Sequence, residues 1–213
     1  MIPRLFASLA TGTLILGLQF GLLAPAALAA TVTVEVPDLT TLQSTSTDLP
    51  DGASWLVAPD LVSGSVSGAY LSPFEGQPGS DDIDYWNVAG TMAATSATLL
   101  LETAANSLSF LWGSPDLYQG ITLTWRNPFG DWEHLVFGWG DLAAYTTVSG
   151  DGAILFTISG FTFDKVEFYS SQPAFEVSNI TLAAAPLPAA GLMLLGALGG
   201  LGALRRRKTP ALV

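Results

Sequence analysis

Residues 153–170 read AILFTISGFTFDKVEFYS. Ile154, Phe156 and Ile158 recur at every second position, and so do Phe161 and Phe163, then Val166 and Phe168. A period of two is the mark of a strand with one buried face, and β-branched and aromatic residues suit that pleated surface. Ser159-Gly160 interrupts the run, so the spacing predicts two strands, AILFTI from 153 and FTFDKVEFY from 161.

The same short alternations recur outward from this stretch. They are TVTVEV (31–36), SWLVA (54–58), IDYWNV (83–88), TSATLLL (95–101), SLSFLW (107–112), ITLTW (121–125), HLVFGW (134–139) and FEVSNITL (175–182). Turn signals separate them: Pro50-Asp51-Gly52, Gly76-Gln77-Pro78-Gly79-Ser80, Asn127-Pro128-Phe129-Gly130-Asp131 and Ser149-Gly150-Asp151-Gly152. Segments 37–52 and 72–82 read as loops, and no repeat is present that would mark a propeller or solenoid. The expectation is an all-β ectodomain over 30–184, an antiparallel β-sandwich of jelly-roll type.

Both ends of the 213-residue chain read as addresses. Residues 1–29 have Arg4, then an apolar run, then Ala27-Leu28-Ala29, the small-x-small pattern of signal-peptidase cleavage. This predicts an N-terminal signal helix removed near Ala29. The segment 185–208 holds Pro186-Leu187-Pro188-Ala189, an uncharged run over 189–204, and the basic stop Arg205, Arg206, Arg207 and Lys208, followed by a short tail at 209–213. As a helix, the run from Pro188 would span roughly 25 Å, enough for a single short transmembrane helix. The basic stop would stay in the cytoplasm and leave the ectodomain on the far side, the orientation a signal peptide also requires. Gly196 and Gly200 form a G-x-x-x-G pair that lets another helix approach closely.

Charge is unevenly shared. All 18 acidic residues lie from Glu35 to Glu176, where only Arg126 and Lys165 are basic, a net −16 against −11 for the whole chain. Repulsion from phosphate excludes nucleic acid as a partner, while cations, basic surfaces and polysaccharides stay open. The chain has no cysteine, which removes thiolate catalysis, Cys-bound zinc and iron–sulfur chemistry. About 155 residues between the two ends can bury enough surface to fold without disulfides.

Few residues offer chemistry. His134 is the sole histidine, and no G-x-S-x-G accompanies it, so a Ser–His–Asp site is not expected. A secreted hydrolase would instead need two carboxylates about 5–10 Å apart. Asp81, Asp82 and Asp84 follow a Gly-Pro-Gly-Ser loop and are candidate calcium ligands, although the EF-hand pattern is absent. No other cofactor or metal is expected. All six tryptophans lie in the ectodomain. Aromatic faces stack on sugar rings, and Trp132, in the loop-like stretch after Pro128-Phe129-Gly130-Asp131, is the candidate glycan contact. The sequence also contains a sequon, Asn179-Ile180-Thr181.

The C-terminal pattern resembles the VPLPA variant of the PEP-CTERM sorting signal, with Ala185 where the variant has Val. That resemblance implies processing by an exosortase, a membrane transpeptidase of Gram-negative bacteria. It further implies an inner-membrane precursor with its ectodomain in the periplasm and a mature form at the cell surface or outside the cell, in association with exopolysaccharide. A second stretch is similar to exosortase-dependent surface proteins with lectin-like sandwich domains. It comprises Ser107-Leu108-Ser109-Phe110-x-Trp112-Gly113-Ser114 with Tyr118, then Phe168-Tyr169-Ser170-Ser171 and Ala174-Phe175-Glu176-x-x-Asn179, with Ser178 where that pattern has Asp. Together these imply a non-enzymatic exported surface or matrix protein, with a carbohydrate-binding module as the alternative and a secreted hydrolase behind it.

Overall fold

The computed structural model describes residues 12–17, 29–43, 46–89, 95–127, 129–142 and 152–185. The strands are β1 (Gly12–Gly17), β2 (Ala29–Glu35), β3 (Ala53–Val57), β4 (Asp60–Ser63), β5 (Asp84–Asn87), β6 (Thr95–Trp112), β7 (Gln119–Arg126), β8 (Trp132–Gly138), β9 (Ile154–Ser170) and β10 (Glu176–Ala184). Among the described residues one short α-helix, α1 (Trp139–Leu142), follows β8. Every named strand pair is antiparallel.

Two strands organise the rest. β6 and β9 pair from Thr95↔Ser170 to Trp112↔Ile154, with register shifts between Leu100 and Ala105 and between Ala105 and Ser107. On one side of these shifts the sheet runs β1-β2-β9-β6-β10-β5-β4; on the other, β3 flanks β6 while β7 and then β8 flank β9. The two portions meet face to face. Phe110 of the first lies 5.2 Å from Phe168 of the second with rings at 89°, and Trp55 on β3 meets Trp86 on β5 at 5.7 Å. Phe110, Trp112, Phe156, Phe163, Phe168 and Phe175 are all fully buried. A nearly all-antiparallel sheet folded over an aromatic core is consistent with a β-sandwich.

The structure departs from the sequence expectations at several places. TSATLLL and SLSFLW are one 18-residue strand, and AILFTI with FTFDKVEFY are one 17-residue strand. The polar junctions that read as turns are irregular stretches where each strand passes from one portion of the sheet to the other, so the alternation changes phase while pairing continues. Gly160, at φ 102°, sits at the junction in β9. Trp139 opens α1 instead of ending a strand, and the four-residue strand DLVS at 60–63 is too short to stand out in sequence.

Where an N-terminal signal helix was expected, Gly12–Gly17 is a strand, paired with β2 from Gly12↔Val34 to Gly17↔Ala29. The run GTLILG has β-branched residues between two glycines, a poor helix composition, and β2 offers it a free edge. Ala29 opens β2, while Ala27 lies outside the described residues. So do the Pro186–Ala189 motif, the expected 189–204 membrane helix and the 205–208 stop. Among the described residues no helix is long and apolar enough to cross a membrane.

Candidate functional site

The two halves of the dispersed motif converge in the interior. Trp112 and Phe175 pack with ring centroids 5.1 Å apart, and the Gly113 N–H donates to the Glu176 carbonyl at 2.9 Å. The Ser114 hydroxyl donates to Glu176 Oε2 at 2.7 Å, and the Leu71 N–H donates to Oε1 at 2.9 Å. Gln119, buried beside them, accepts from the Trp112 indole N–H at 2.6 Å and from the Asp116 N–H at 3.1 Å. Its amide donates to the Ser114 and Ala174 carbonyls. Burial pushes the Glu176 carboxyl up to about 7, against the lowering effect of the Ser114 hydroxyl and of the Leu71 and Glu176 backbone N–H groups, and the charge of Asp116 adds to the rise. Burial and the bond to Asp116, 2.6 Å away, raise the Tyr118 phenol. Glu176, Trp112 and Phe175 have no exposed surface, so this cluster is an internal lock. Ser178 and Asn179 are buried as well, with the Asn179 amide donating to the Leu42 carbonyl at 2.7 Å. The sequon asparagine is therefore enclosed.

Asp81 and Asp82 lie in a short 3-10 turn over Ser80–Asp82, and Asp84 opens β5; all three are exposed. Among the described residues no three His, Cys, Asp or Glu side chains are grouped to hold a metal.

A different arrangement lies on the outer face of the β6–β9–β7–β8 portion. Cross-strand pairing places Leu100, Lys165, Thr124 and His134 in one row, because Leu100↔Lys165, Lys165↔Thr124 and Thr124↔His134 are register partners. Partners directly opposite each other in an antiparallel sheet share a face. The next pair along is Arg126↔Trp132. Leu100, Leu101, Thr124, Trp132, His134, Asp164 and Lys165 line a groove of about 490 Å³, and Arg126 adjoins it through Trp132. That volume falls within the range of small-ligand sites.

Trp132 is 51% exposed, and the Arg126 guanidinium sits 4.4 Å from its ring centroid, a cation–π contact. Trp132 is the first residue of β8, where a loop was expected. The β7–β8 turn fixes it there. Asn127 Oδ1 accepts from the Phe129 and Asp131 N–H groups, its amide donates to Glu133 at 3.1 Å, and its own N–H donates to the Asp131 carbonyl. Gly130, at φ 92°, completes the reversal. At the tip, Phe129 is 91% exposed. The Thr124 hydroxyl, itself buried, lies 3.0 Å from His134 Nδ1 and orients the imidazole across the groove. Asp164 is the one carboxylate among the described residues that line the groove.

Of the residues assembled here, sequence reasoning had selected Trp132 alone. Arg126 and Lys165 carried a usable signal, as the two basic residues of an acidic segment, but Thr124 and Asp164 carried none.

No protein-family profile and no curated protein matches this chain. Among solved structures, one described as CpGH89CBM32-6 produced by Clostridium perfringens has 14% identity and a TM-score of 0.35, over 64% of this chain and 97% of that one. A likeness of that size carries no argument about activity.

Proposed function

We propose that this chain is an exported, non-enzymatic surface protein whose jelly-roll-like sandwich domain binds carbohydrate through the Trp132 groove. The observation that carries this reading is a half-exposed indole, backed by an arginine and placed by a turn, in the wall of a groove that polar side chains share. An apolar ring face flanked by hydrogen-bonding groups matches the two surfaces of a sugar, its C–H face and its hydroxyl rim. Asp164 accepts hydroxyl protons, while Lys165 and His134 bond oxygen lone pairs. Affinity chromatography on a panel of immobilised polysaccharides tests the reading. Retention of the wild-type chain, abolished by Trp132→Ala with unchanged thermal unfolding, is the expected result. No retention on any member of the panel would overturn it.

The route follows from the two ends of the chain. We propose export by the 1–29 leader, with membrane tethering through 189–204 and exosortase processing at Pro186–Ala189. The Ala27-x-Ala29 pattern and the ordered motif–apolar run–basic stop support this. Intact-mass analysis of envelope and extracellular fractions should find chains lacking both ends. Recovery solely as an inner-membrane species that still carries Arg205–Lys208 would sink the sorting proposal.

A further inference from the structure

From Glu35 to Glu176 the sequence has two fixed cations, Arg126 and Lys165, and one histidine against 18 acidic residues. The three are far apart in sequence, at 126, 134 and 165, yet the register of β7, β8 and β9 puts His134 and Lys165 in one groove and Arg126 beside its Trp132 wall. Among the described residues neither Arg126 nor Lys165 is held in an ion pair; Arg126 rests on the Trp132 ring instead. Here Lys165 lines the groove, and Arg126 stands at its edge against the Trp132 ring, with Asp164 the one carboxylate among the described lining residues.

We propose that the groove takes an anionic saccharide, a sugar ring bearing a carboxylate, with its ring against Trp132 and its carboxylate between Lys165 and Arg126. This rests on the carbohydrate-binding reading and specifies its ligand class. Charge selectivity follows from position. The net charge of −16 over the exported segment disfavours polyanions, so an acidic polymer is held where Lys165 and Arg126 stand. Lys165 supplies a mobile ammonium and Arg126 a planar fork that pairs with a carboxylate through two parallel bonds. Asp164 repels a carboxylate placed beside it and accepts ring hydroxyls, which orients the sugar with its acid end toward Lys165 and Arg126.

Two polymers that differ only in charge test this: polygalacturonate and its fully methyl-esterified form, each immobilised, with the full chain in mild detergent as the analyte. The wild-type chain should be retained about tenfold more strongly on the acid than on the ester, and rising salt should erase the difference. Lys165→Gln and Arg126→Gln should each remove most of that preference, and Lys165→Arg should keep it. Trp132→Ala should lose both polymers. Equal retention on acid and ester, unaffected by the Lys165 and Arg126 substitutions but lost in Trp132→Ala, would overturn the anionic specificity and leave the carbohydrate reading standing. No retention on either polymer, with binding to a neutral polysaccharide elsewhere in the panel, would do the same. No retention on any polysaccharide would overturn both.

Discussion

Ser114 donates its hydroxyl to Glu176 Oε2 at 2.7 Å across 62 residues of chain. This bond joins the end of β6 to the start of β10 and ties together two motif fragments that the sequence holds apart. It also means that the most distinctive polar residue of the motif is enclosed.

Enclosure makes Glu176 a pH-dependent element of stability. Its carboxyl is held up at about 7 against an ordinary 4.5, so folding favours the protonated form. The sign follows from linkage: its contribution is fully present below about 4.5, is lost as pH rises to about 7, and is level above that. The difference corresponds to roughly 3 kcal/mol. Denaturant unfolding of wild type and Glu176→Gln from pH 4 to 9 should show the variant gaining on wild type across that window. Parallel curves would refute the assignment.

Gly120 lies on β7 beneath the Tyr169 ring. A Cβ there would collide with the Tyr169 hydroxyl and stand 2.5 Å from the Phe137 carbonyl oxygen. The carbonyl belongs to a paired strand and cannot swing away. Gly120→Ala should therefore cost about 1–3 kcal/mol or more, and Gly120→Ala with Tyr169→Phe should recover little of it. Melting temperatures of the two variants decide the matter.

Gln119 satisfies the buried Trp112 indole N–H and ties the 114–119 loop to Ala174. Gln119→Leu fills similar volume but orphans that donor. The expected cost is about 1–3 kcal/mol per unsatisfied group, read by chemical denaturation together with a shifted Trp112 indole resonance. An unmoved resonance would show that the indole has another acceptor.

The β7–β8 turn should matter to binding more than to folding. Asn127→Ala removes the acceptor for two backbone N–H groups in an exposed loop and should cost about 1 kcal/mol. It should also weaken polysaccharide retention, because Trp132 loses its fixed entry into β8. Trp132→Ala removes an exposed ring and one cation–π contact, so its stability cost should stay within about 1 kcal/mol while retention disappears. A large stability loss in Trp132→Ala would make the ring structural.

The strand character of this chain is local information. Alternation in TVTVEV, ITLTW and FTFDKVEFY depends on neighbours two residues apart, and a side-chain period of two is written into any strand with one wet face. The aromatic density, the acidic charge and the rarity of cations are likewise visible without coordinates. The continuity of β6 and β9 was hidden. Glu102-Thr103-Ala104-Ala105-Asn106 and Ser159-Gly160 read locally as breaks, and only the opposite strand shows that pairing resumes in a shifted register. Trp132 is recognisable as a candidate from its type and setting. Its partnership with Arg126, Thr124, His134 and Lys165 depends on which residues of β7, β8 and β9 stand opposite one another. Cross-strand register is set by burying the other face of those strands: Leu123, Val166 and Phe168 must all point into the core at once. That long-range packing requirement carries the outward residues with it, and it brings His134 and Lys165 to one groove with Arg126 beside its Trp132 wall.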